Sequence, residues 1–86
     1  GQELKTIFNA FRINETGIFI AVRDDDLIID QFDHNGIFLQ RYKKTMSDFD
    51  FFIRDIHVSQ SNNGELKFYV LSIKDGIPKI TVYQAS

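Results

Sequence analysis

The chain has no cysteine and no tryptophan, and only one proline and one methionine among its 86 residues. Without thiols there is no disulfide staple and no thiolate chemistry, and cysteine-based zinc sites are excluded. Without tryptophan the commonest sugar-stacking side chain is missing. No apolar run approaches the roughly 20 residues of a membrane-spanning helix, so no membrane partner is expected. Ten basic residues face twelve acidic ones, for a net charge of −2. Such a balance offers no basic field to hold a phosphate backbone, and nucleic acid is not an expected partner either. No phosphate loop, nucleophile elbow or dinucleotide fingerprint occurs, so no cofactor is expected.

What the chain does have is apolar area. Hydrophobic residues make up 43 % and nine are phenylalanine, enough for the packed core of one small domain over residues 1–86. Short apolar runs separated by turn residues dominate the pattern. Phe11–Asn14, Ile18–Val22, Leu27–Phe32 and Ile37–Tyr42 read as strands. Asn35-Gly36 marks the hairpin before the last of these, because both residues tolerate positive φ. Lys43 to Asp48 reads as a polar connector leading to Phe49, Phe51 and Phe52. Ile53–Ser59, Leu66–Ile73 and Lys79–Gln84 complete the set, with turns at Ser61–Gly64 and Asp75–Pro78. The expected fold is an all-β antiparallel meander of seven to eight short strands. The alternative is a small α+β domain, since Leu4, Ile7, Phe8 and Phe11 also share one face of a helix over Glu3 to Phe11. A strand from about Phe8 onward is favoured.

The pattern is stated twice, at an interval of about 50 residues. Gly17–Val22 is answered by Gly64–Val70, and Arg23–Phe32 by Lys74–Tyr83. Phe11-Arg12-Ile13-Asn14 takes the place of Ile56-His57-Val58-Ser59. The units run over residues 9–48 and 49–86.

Three stretches carry a resemblance: Ile53-Arg54-Asp55-Ile56-His57-Val58, Lys67-Phe68-Tyr69-Val70-Leu71, and Ile28 through Gly36 to Leu39. They resemble blades of a β-propeller, especially the NHL-type and related six-bladed families. The resemblance implies two blades, the second lacking a fourth strand that Leu4 to Phe8 would supply. Two blades do not close a ring. It therefore implies either copies assembling head to tail as a homo-oligomer or a fragment of a larger propeller. An ordinary small barrel or sandwich, with an accidental repeat, is the third possibility.

The candidate site residues are few. Asp24, Asp25 and Asp26 form the densest acidic cluster, but their spacing matches no calcium loop and a solvated turn is the simpler reading. His34 and Asn35 sit at the hairpin turn. Arg41 and Tyr42, with Lys43 and Lys44, form the one basic patch, suited to an anionic ligand or acidic partner. Phe51, with Phe49 and Phe52, is a candidate for contact across an assembly interface, or else core. His57 lies between Asp55 and Ser59 on one strand face. Alternation spaces those three about 6–7 Å apart, too far for a hydrogen-bonded triad. No enzyme is expected. The reading is a non-catalytic protein-interaction or assembly module, working through loops around Asp24–Asp26, His34–Gly36 and Ser61–Gly64. The alternative is a small carbohydrate-binding, lectin-like protein assembling into a ring, with Tyr42, Tyr69 and Tyr83 in place of tryptophan.

Overall fold

A computed structural model describes residues 10–23, 26–45 and 52–85. All elements in these stretches are antiparallel strands: β1 (Ala10–Asn14), β2 (Gly17–Arg23), β3 (Asp26–Phe32), β4 (Phe38–Thr45), β5 (Phe52–Gln60), β6 (Leu66–Lys74) and β7 (Ile77–Gln84). They form two meanders, a four-stranded sheet β1-β2-β3-β4 and a three-stranded sheet β5-β6-β7. The all-β expectation holds. Ala10 and Phe11, the end of the alternative helix, are strand; Glu3 to Asn9 lie outside the described residues, as does the proposed extra strand Leu4 to Phe8.

The local chemistry explains most boundaries. Asn14 closes the first hairpin by accepting from the Thr16 amide at 2.8 Å and from the Thr16 hydroxyl. Gly17 follows with φ 142°, and a Cβ there would lie 2.7 Å from the Phe32 carbonyl oxygen. Only glycine permits that approach. Asp75 (φ 53°) and Gly76 (φ 77°) form a two-residue turn with both residues left-handed, the geometry that matches strand twist. The turn is thus shorter than the Asp75–Pro78 expected, and Ile77 and Pro78 belong to β7. Pro78 is harmless there because β7 is an edge of the three-stranded sheet.

Two other boundaries also differ from expectation. The Asn35-Gly36 turn is a wider loop: Asp33 Oδ1 accepts the amides of both Asn35 and Ile37 at 2.9 Å, and Ile37 stays outside β4. Lys43, Lys44 and Thr45, read as connector, extend β4 by pairing with Ile28, Leu27 and Asp26. Charged residues suit an edge strand, which is why they resembled a loop.

The sheets pack face to face. Phe19, Ala21, Leu27 and Ile29 of the first meet Ile56, Val58, Phe68 and Val70 of the second, all buried. The Phe19 and Phe68 rings meet edge to face at 6.1 Å, and the Tyr42 ring lies 5.0 Å from that of Phe68. Burying such a phenylalanine contributes about 1.5–3 kcal/mol. A register shift between Ile53 and Asp55 lets both Ile53 and Ile56 turn inward.

Candidate functional site

The first strands of the two sheets, β1 and β5, run side by side. Arg12 Nε donates to the main-chain oxygen of Ile56 at 2.7 Å, and Asn14 Nδ2 to that of Val58 at 2.8 Å. Two residues advance on each side, so β1 and β5 run in the same direction. Arg12 Nη2 also reaches Asp55 Oδ2 at 2.8 Å. At the far margin Lys44 Nζ donates to the Gln84 carbonyl at 3.0 Å, tying β4 to β7.

This parallel placement gathers three turns, at residues 14–17, 33–37 and 61–65, at one end of the molecule. His34, although exposed, is held there: its Nε2 donates to the Asn14 carbonyl at 2.6 Å. Asn35 contributes its backbone amide to the turn. Beside them a groove of about 280 Å³ is lined by Asn14, Thr16, His57, Ser59 and Gln60 among others. Asp26 opens β3 at the opposite end, where it meets Lys43 at 3.6 Å. The loops expected to form one working face are therefore divided between the two ends. Asp24, Asp25 and Phe51 lie outside the described residues, as does Phe49.

The basic patch is divided as well. Arg41 and Lys43 point to the outward side of β4 while Tyr42 and Lys44 point inward, as strand alternation requires. Arg41 holds Asp30 through two nitrogens, at 2.8 and 3.0 Å. That hydrogen bond and charge raise the Arg41 pKa further above its usual value. Tyr42 belongs to the core margin: it packs on Phe68 and its hydroxyl donates to Gln31 Oε1 at 2.9 Å. Burial pushes its phenol pKa up, and that of Tyr83 likewise.

His57 is exposed on β5, its ring 6.2 Å from that of Tyr69. Asp55 is engaged by Arg12, and no hydrogen bond joins Asp55, His57 and Ser59. Among the described residues, no group of three or more histidines and carboxylates is placed to hold a metal ion.

Exposed apolar side chains lie on the outward faces of both sheets. On the first sheet Phe11 and Ile13 are half exposed, at 50 % and 56 %; on the second Ile80 and Val82 are so, at 60 % and 50 %. Ile18 and Ile20 flank the first pair, and Tyr69 and Leu71 the second. Each outward face thus carries an apolar patch, on the first sheet beside the Asp30–Arg41 pair, and the apolar residues at alternate outward positions of β2 and β6 are the signal that announces it. No protein-family model, no curated protein and no solved structure matches the chain.

Proposed function

We propose that the chain is a non-catalytic interaction and assembly module of two propeller-like blades, and that its working surfaces are the outward sheet faces. The observation that carries this reading is the pair of apolar faces, Phe11 and Ile13 on one side and Ile80 and Val82 on the other. Scattered apolar residues are ordinary on a protein surface, but contiguous ones mark contact sites. Blade-like stacking agrees with the arrangement: two meanders lie face to face with their first strands adjacent and running the same way. A lectin-like role has one observation in its favour, the polar groove lined by Asn14, Thr16, Ser59 and Gln60. Hydroxyl and amide groups of that kind suit a hydroxylated ligand.

Amide NMR spectra recorded on dilution separate the two. Shifts confined to the outward positions of β1, β2, β6 and β7 are expected. Invariance on dilution, with shifts at Thr16, Ser59 and Gln60 on adding simple sugars, overturns the assembly reading in favour of the lectin.

A further inference from the structure

The two outward faces are not alike, and their difference follows from the stacking. In the first sheet Phe11 pairs with Ile20 and Ile13 with Ile18, and all four point outward. In the second sheet the same places in the first hairpin are held by Ile56 with Val70 and Val58 with Phe68, and all four point inward. Conversely, Phe19, Ala21 and Ile29 point inward in the first sheet. The matching places in the second, Tyr69, Leu71 and Ile80, point outward. The sheets therefore stack like two objects facing the same way, the front of one against the back of the other. The front left over on the second sheet matches the back left over on the first.

We propose that a second copy of this chain docks head to tail, its first sheet's outward face on the second sheet's outward face, repeating the joint that already holds the two sheets together. The proposal rests on the assembly reading and specifies its partner and polarity. In the internal joint, Phe68 meets Phe19; in the new joint Ile18 of one copy meets Tyr69 of the next. A shallow dimple of about 120 Å³, lined in part by His57, Tyr69, Leu71 and Ile80, is the receiving surface.

The polar seam repeats too. Arg12 and Asn14 donate to carbonyls of β5 within the chain. His57 and Ser59 hold those places in β5, both pointing outward, and they donate to the β1 carbonyls of the incoming copy. Ala10 stands where Asp55 stands in the internal seam, so the new seam carries no ion pair and is the weaker of the two. A heterologous contact of this kind closes into a ring or continues as a filament, according to the rotation per copy.

Two variants test the polarity. Ile13→Glu blocks the first sheet's outward face, and Ile80→Glu the second's. Each alone is expected to run as a single chain by light scattering. Their equimolar mixture is expected to form a dimer and stop there, because each variant keeps the face the other has lost. Ile13→Ser and Ile80→Ser serve in the same way should a glutamate prevent folding, with circular dichroism as the check. Because the chain has no cysteine, single thiols introduced at residues 13 and 80 give a second reading. A bifunctional maleimide should join 13 to 80 between copies, and not 13 to 13 or 80 to 80. Like-to-like crosslinks, with no dimer in the mixture, overturn the head-to-tail joint while leaving assembly standing. A wild-type chain that stays a single copy at every concentration overturns both.

Discussion

The Nε of Arg12 donates to the Ile56 carbonyl oxygen at 2.7 Å, joining the edge of one sheet to the edge of the other. The bond uses a carbonyl on the edge of β5, and its guanidinium continues to Asp55. One side chain thus ties the two sheets by a backbone bond and an ion pair.

Removing it by Arg12→Ala should cost about 1–3 kcal/mol, since the half-buried Ile56 carbonyl loses a charged donor. Asp55→Ala should cost under about 1 kcal/mol, because that ion pair is open to water. Urea unfolding of both variants measures the difference. Equal losses would mean that the ion pair, and not the backbone bond, holds the seam.

Phe68 is fully buried in the core, in ring contact with both Phe19 and Tyr42. Phe68→Ala should cost about 3–5 kcal/mol, a large share of the stability of a domain this size. Phe38→Ala, at a half-exposed ring that touches Phe32, should cost well under half as much. Thermal melts compare them directly.

Two glycines separate crowding from backbone strain. Gly17→Ala forces a Cβ against the Phe32 carbonyl in addition to its unfavourable φ. Gly36→Ala has a φ of 85° and open space around it. We expect about 1 kcal/mol for Gly36→Ala and at least twice that for Gly17→Ala. Comparable denaturation midpoints would contradict the close approach of β2 and β3 at Gly17.

Burial raises the Tyr42 and Tyr83 pKa values above that of a tyrosine in the unfolded chain, which is about 10. The folded state therefore holds these protons more tightly. Their contribution is fully present below pH about 10 and is lost as pH rises through the raised folded values. Tyr42→Phe removes one of the two and gives up the bond to Gln31, so it should be less stable at neutral pH but show a shallower alkaline loss. Unfolding midpoints between pH 9 and 12 test this.

The strands were legible because their alternation and turn residues agree. Ile56 and Val58 against Asp55, His57 and Ser59 is a period-two pattern, and it fixed β5 and its faces. Asp75-Gly76 likewise marked its hairpin, though two residues shorter than read. Other features were not legible, for identifiable reasons. The end of β4 carries Lys43 and Lys44, whose solubility and charge are the same on an edge strand as in a loop. Tyr42 was grouped with Arg41 by adjacency, although alternation separates neighbours onto opposite faces. The seam was hidden because Arg12 and Asn14 look like any solvent-facing pair. Their acceptors are backbone carbonyls far along the chain, which leave no mark in side-chain pattern. The apolar character of both outward faces was visible in Ile18, Ile20, Tyr69 and Leu71, but which face turns inward depends on how the sheets stack.

The most direct test of the account is the solution mass of the unmodified chain by light scattering, from micromolar to millimolar concentration. If the outward faces are working surfaces, the mass rises above that of one chain as concentration increases, and Ile13→Glu abolishes the rise. A mass of one chain throughout, unchanged by that substitution, would contradict it.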